Sequence, residues 1–391
     1  MFVKLFLFFL TIGTSIILYR YKIEDGELNV LDYNLQDPPR LIGPLEENNL
    51  LRGGDWLMKG EILGGESLVI DNGSIYTGTA DGKIVKITNG EITDMIKVNP
   101  NAKNCNGGRN TLECGRPLGI RKLKTNEFIV ADPSKGVYTV NFDTRELKIV
   151  FDVSTKVNNK YARFLDDLTI YNENEIFVTD ASTKYGYDDV LKVFFEHQPR
   201  GRILRINIKT GKASEEATGF YFPNGIQMHP DGDSIVVCDF NSANIWRYYV
   251  NGKKKNEAKI FIDNLPGNPD NIRLSKSGKS FYVALGSKRS FEKPSIIDKL
   301  NNGFIARHLR GIIATNISPH LLLDLHLLMP HPGSLFLELD LEGNIIKSFH
   351  DNEGVTVSGL TEVAEDDKYF YFGSFNANYL TRVPKRTTPI M

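Results

Sequence analysis

The sequence repeats itself six times, and this repetition limits the available folds more than any other feature. Each unit holds a short apolar strand, a small or acidic residue, a turn and a second strand. The units are "SIYTGTADGKIVKI" from 74, "EFIVADPSKGVYTV" from 127, "EIFVTDASTKYG" from 175 with "GRILRI" from 201, "SIVVCDFNSANIWRYY" from 234, "SFYVALGSKRS" from 280 with "GSLFLEL" from 333, and "YFYFGSFNANYLTRV" from 369. Period-two alternation and abundant β-branched and aromatic residues mark them as strands. A shorter strand precedes each unit, and these align in one register as "ESLVI", "LGIRK", "DDLTI", "NGIQM", "DNIRL" and "SGLTE". Units of this length are too long for solenoid rungs and suit propeller blades. The expected fold is therefore all-β, a six-bladed β-propeller over residues 61–391.

In a propeller the innermost strand of each blade lines the central channel, so the first residues of the six short strands should meet at one mouth. These are Glu66, Leu118, Asp166, Asn224, Asp270 and Ser358. Four of them offer hard oxygen ligands, and neither histidine nor cysteine stands among them. That set fits calcium and disfavours zinc or copper. Singly, an Asn or Asp at a strand start is a turn former or a cap to local backbone. In one shared register, three carboxylates would repel each other unless a cation joined them.

The first residues are spaced at 52, 48, 58, 46 and 88, so the last interval holds an insertion at about 290–332, in blade 5. There Ile296, Ile297, Leu300, Phe304, Leu309, Ile312 and Ile313 share a broad helical stripe, with Lys299, Arg307 and Arg310 on the other side. Two readings stand: a helical hairpin packed on its own blade, or a lid that shapes an apolar pocket and touches the membrane surface.

Residues 1–22 carry an uninterrupted non-ionic run from Leu5 to Tyr19, between Lys4 and Arg20. At about 1.5 Å per residue, the stretch from Phe2 to Tyr19 nearly crosses a bilayer core. An uncleaved transmembrane signal-anchor helix is favoured, with the body in the ER lumen or extracellular. The rival is secretion after cleavage near Gly13 and Ser15. Residues 23–60 read as a polar stalk leading into the propeller. In an oxidising compartment a disulfide can close the loop "CNGGRNTLEC" between Cys105 and Cys114, while Cys238 suits a buried free thiol. Asn72 and Asn316 open glycosylation sequons. The formal net charge of −1 gives no basic field for a nucleic-acid partner.

In order along the chain, "GTADGKIVKITNGEI" from 78, "CGRPLGIR" from 114, "FLDDLTI" from 164, "GRILRINIKTGK" from 201, "FPNGIQM" from 222, "PGNPDNIRLS" from 266 and "YFGSF" from 371 resemble the strictosidine synthase-like family of six-bladed propellers. Its wider superfamily includes paraoxonases and calcium-dependent phosphotriesterases. The resemblance implies channel calcium at Glu66, Asp166, Asn224 and Asp270, with Asn271 as a further ligand. Relatives usually carry asparagine where this chain has Asp166. It also implies an arylesterase or lactonase-like hydrolase acting on a small apolar ester, with Asp270 or Asp166 as nucleophile or water-orienting base. The paraoxonase catalytic histidine falls on Leu118 and the synthase catalytic glutamate on Ser358, with Glu362 nearby. Those departures leave open a non-catalytic receptor or adhesion ectodomain with structural calcium, and disfavour a condensing synthase.

Overall fold

The computed structural model of the chain describes residues 13–14, 28–317 and 333–385. Six four-stranded antiparallel sheets follow one another around a ring. Their innermost strands are Leu68–Asp71, Ile120–Lys124, Leu165–Asn172, Pro223–Met228, Gly267–Leu274 and Leu360–Glu365. The expected register holds residue by residue. The third position of each short strand is Leu68, Ile120, Leu168, Ile226, Ile272 or Leu360, and all six are buried. Each pairs with the second strand of its own blade, as in Leu68↔Thr77, Leu168↔Val178 and Ile272↔Val283. Apolar side chains at this position fill the space between neighbouring sheets, where period-two alternation directs them.

The ring closes through the N-terminal side of the chain. Asp55–Leu57 forms the outer strand of the sixth blade, with Asp55↔Arg382 and Trp56↔Thr381 in register. Of the segment expected as a stalk at 23–60, residues 23–27 lie outside the described residues, and the described part lies against the body. From Leu28 onward the segment packs on the body, burying Leu28, Val30, Leu45, Leu50 and Leu51. Its sparse apolar residues lack strand periodicity, so sequence pattern alone does not show that they are covered.

Each innermost strand starts at the channel mouth, so the second strand returns there. Connections from second to third strands consequently lie on the mouth side. Among the described residues two of them carry α-helices. In blade 3 the helix Val190–Glu196 stands between Glu175–Asp180 and Gly201–Asn207. In blade 5 the insertion holds Ile296–Lys299 and Phe304–Asn316, between Ser280–Lys288 and Ser334–Asp340. Ser295 caps the first of these through a reciprocal capping box with Asp298.

The insertion's stripe is not oriented as expected. Ile297 is buried and Ile313 packs against the core, but Ile296, Phe304 and Leu309 are exposed, while Arg310 is fully buried. Arg310 is drawn inward because its guanidinium lies over the Tyr33 ring at 4.7 Å and its Nη1 donates to the Phe195 carbonyl at 3.3 Å. The expected signal-anchor lies outside the described residues apart from Gly13 and Thr14. Among the described residues no helix is long and apolar enough to cross a membrane.

Candidate functional site

A cavity of about 290 Å³ occupies the channel mouth, and Glu66, Asp166, Asn224 and Asp270 all line it. Four residues separated by up to 204 positions thus converge as the register requires. Asn271 lies just behind the lining, where its Nδ2 donates to Glu66 Oε1 at 2.6 Å. Leu118 also lines the cavity. Ser358 is buried beside it, with its hydroxyl 3.1 Å from the Tyr379 hydroxyl.

Close backbone approach holds these strands together. The Gly119 amide donates to the Asp166 carbonyl at 2.9 Å, and Thr179 Oγ1 donates to the Asn224 carbonyl at 2.7 Å. A Cβ on Gly225 would sit 2.5 Å from the Asp270 carbonyl oxygen and 2.6 Å from the Asn271 Cα. Only glycine permits that contact. In blades 3, 4 and 5 the pairing to the second strand shifts register between the mouth residue and the buried third position. Bulges of this kind re-aim a side chain, here toward the channel axis instead of the inter-sheet core.

The electrostatics of the floor are unfavourable as they stand. Burial, then Asp270 and Asp166, push the Glu66 carboxyl well above the usual carboxylate range. Burial, then Asp167, push Asp166 up to about 8. Burial, then Asp166, raise Asp270 well above its ordinary value, although a hydrogen bond from Asn224 opposes the shift. Three oxygens of the same set, Glu66 Oε2, Asn224 Oδ1 and Asn271 Oδ1, are buried with no hydrogen-bond partner. Orphaned buried acceptors are costly and rare. A hard cation would satisfy these oxygens and relieve the repulsion, so the donor set fits calcium chemically. No group of three or more His, Cys, Asp or Glu among the described residues is arranged to hold a metal ion. The candidate donor set therefore rests on the two amides as much as on the acids.

Behind the mouth lies a charged layer that sequence reading missed. Asp167 accepts from Arg121 Nη2 at 2.9 Å and from Arg273 Nη1 at 2.7 Å, while Arg273 Nη2 also binds Glu362. The second Glu362 oxygen accepts from the Leu68 amide at 3.0 Å. Both acids are fully buried. Glu362 is thereby committed to a buried ion pair, so the position that kept a synthase-type glutamate in view is not free for catalysis. The overlooked signal was the repeated Arg in "GIRK" and "NIRL", at the fourth register position.

The walls are aromatic. Phe164, Phe194, Phe222, Phe240, Tyr187 and Phe375 line the cavity, with Val190 and Leu191 from the blade 3 helix. Ring centroids run from 5.0 Å for Phe194–Phe222 to 5.8 Å for Phe164–Tyr187. Buried Arg116 holds two of these rings. Its Nε donates to the Tyr187 hydroxyl at 3.1 Å, and its Nη2 donates to the Phe375 carbonyl at 2.9 Å. Asp188, at the rim, accepts from Thr111 Oγ1 at 3.0 Å. Thr111 opens the short helix that ends at Cys114, and Cys114 is disulfide-bonded to Cys105 with a Cα–Cα distance of 5.7 Å. The expected crosslink thus braces the rim, and Cys238 is a buried free thiol. Among the described residues no histidine lines the cavity. Asn72 is exposed in a hairpin turn at the far end of blade 1, and Asn316 ends the insertion helix.

Sequence comparison places this geometry. The strictosidine synthase family matches residues 166–253, and the strictosidine synthase-like N-terminal family matches residues 43–87. The adipocyte plasma membrane-associated protein of Gallus gallus is 35% identical over 380 residues, which is 96% of this chain and 89% of that one. The chain belongs to the adipocyte plasma membrane-associated protein family. Members of this family bear a name that records membrane association, in keeping with the apolar N-terminal run. Among solved structures, a calcium-binding regucalcin from Agrobacterium tumefaciens superposes with a TM-score of 0.53 at 13% identity, covering 86% of this chain and 97% of that one. A gluconolactonase from Xanthomonas campestris does so at 0.53 and 11%, covering 90% and 96%. At such identities the likeness extends to the fold.

Proposed function

We propose that this member of the family is a membrane-anchored, calcium-binding propeller that hydrolyses ester-type small molecules of the arylesterase or lactonase class. One observation carries the reading: orphaned buried oxygens and raised carboxyls form the floor of a cavity whose walls are aromatic. Glu66, Asp166, Asn224, Asp270 and Asn271 are the residues that would hold calcium. Bound there, the ion supplies Lewis-acid polarisation of an ester or lactone oxygen. The calcium-binding regucalcin and the gluconolactonase that share the fold are consistent with this reading.

The chain's own groups have separable tasks. The aromatic walls take up the apolar part of the substrate and exclude water. Asp270 and Asp166 are the candidates to orient and deprotonate the attacking water, or to attack directly. Arg116 positions Tyr187 and Phe375, and the Asp167–Arg273–Glu362 layer lies behind the floor.

Calorimetric titration of the full chain with calcium, paired with aryl ester and lactone turnover for wild type and Asp270→Ala, tests the reading. Calcium binding together with turnover that Asp270→Ala abolishes is the expected result. Calcium binding without turnover would favour a receptor or adhesion ectodomain, a reading favoured by the apolar Leu118 at a ring position that faces the cavity. An unchanged melting temperature with excess calcium and with chelator would remove the metal site altogether.

A further inference from the structure

The first described residues after the apolar run are fastened to the mouth side of the propeller. The Asn29 amide donates to Glu196 Oε1 at 3.0 Å, and the Leu31 amide donates to the Glu196 carbonyl at 3.1 Å. The Tyr33 amide donates to the Asn301 carbonyl at 3.1 Å, and its hydroxyl donates to the Ile297 carbonyl at 2.9 Å. Its ring stacks on His197 at 3.7 Å. Leu28 and Val30 pack in the same cluster as Leu118, Phe164 and Phe222 of the cavity and Ala314 of the insertion helix.

Tether length then limits orientation. Leu28 follows Tyr19, the end of the apolar run, by nine residues. Nine residues span at most about 30 Å, whereas a domain of this size is about 50 Å across. A chain anchored through its apolar run cannot turn the mouth to the far side. On that same side the helix Phe304–Asn316 leaves Phe304, Ile305 and Leu309 at 67%, 74% and 42% exposure. At helical spacing they share one face, opposite the buried Ala306, Arg310 and Ala314.

We infer that this face of the insertion helix lies in the lipid headgroup region of the membrane that anchors the chain, so that the aromatic cavity opens at the bilayer. Exposed apolar side chains on a helix held beside an anchor match a helix lying in the membrane interface. The inference rests on the signal-anchor reading and goes beyond it, because an anchor alone does not require any propeller face to touch lipid.

The test places single cysteines at Phe304→Cys and Leu309→Cys, with Glu173→Cys as a control. Glu173 lies in the hairpin turn at the opposite end of blade 3. Cys238 is buried and Cys105 and Cys114 are paired, so an environment-sensitive fluorophore reports only the introduced sites. The full chain is reconstituted in phosphatidylcholine vesicles carrying spin-labelled lipid. We expect at least fivefold stronger lipid quenching at 304 and 309 than at 173, with blue-shifted emission. Equal, weak quenching at all three sites in a chain that resists alkaline extraction would refute the docked face and leave the anchor standing. A chain released by alkaline extraction would remove the anchor and the inference with it. A blue shift that follows protein concentration and ignores the lipid quencher would assign the face to a second copy of the chain, which also overturns the inference.

Discussion

Replacing Asp166 by asparagine separates the electrostatic cost of the floor from its function. Without a cation the Asp166 carboxyl titrates at about 8, against an ordinary value of 3.8. A carboxyl raised on folding contributes stability that is fully present below its unfolded pKa and is lost as pH rises toward the folded value. The loss is about 1.4 kcal/mol per pH unit within that window. In the presence of chelator, wild type should therefore lose about 3 kcal/mol from this group between pH 5 and pH 7, in addition to the losses from Glu66 and Asp270. Asp166→Asn lacks that component, so its stability should overtake that of wild type as pH rises. Urea unfolding of both chains at pH 5, 6 and 7 in chelator measures the difference. Saturating calcium should restore wild type at pH 7 by more than it restores the variant, because binding to the native state adds stability. Parallel pH profiles in chelator would show that Asp166 is not buried against Asp167 as described, and would refute the reasoning.

Other outcomes follow from the same contacts. Glu362→Gln leaves Arg273 short of one buried anionic partner and should cost about 3 kcal/mol in urea unfolding, with calcium affinity within threefold of wild type. A large loss of calcium affinity would instead place Glu362 in the donor set. Gly225→Ala pushes a methyl group onto the Asp270 carbonyl and the Asn271 backbone. It should destabilise by about 1–3 kcal/mol and weaken calcium binding, both measurable on one sample by unfolding and calorimetry. Cys105→Ser opens a short loop and should cost about 3 kcal/mol in the loop-entropy account. Because that loop braces Asp188, ester KM should rise more than kcat falls, as a turnover assay would show.

Much of this molecule was legible in the sequence. The blade count and the common register follow from backbone alternation, which sets the side-chain direction at every second residue wherever a strand has one buried face. For that reason Glu66, Asp166, Asn224 and Asp270 could be placed on one ring from spacing alone. The Cys105–Cys114 pairing is equally local. The other features depend on residues far apart in the chain, and their pattern carries no period. The repeated Arg in "LGIRK" and "DNIRL" marks a shared register position but not its partner, because Asp167, the counter-ion of both Arg121 and Arg273, stands on another blade. Helical periodicity in the insertion gave a stripe but not which side of it would be covered. Tyr33, Asp32 (its carboxylate 3.6 Å from Arg310 Nη2) and the Phe195 carbonyl, from two other parts of the chain, settled that by drawing Arg310 inward and leaving Phe304, Ile305 and Leu309 outside. The sequence by itself determined a six-bladed ring with acids and amides at its mouth. Only the tertiary structure decided that three of their oxygens lack partners, that a buried layer of paired charges lies behind them, and that the N-terminal segment is fastened beside the cavity. Partner choice for buried charges and orphaned oxygens depends on distance in space, and the folded ring alone sets those distances.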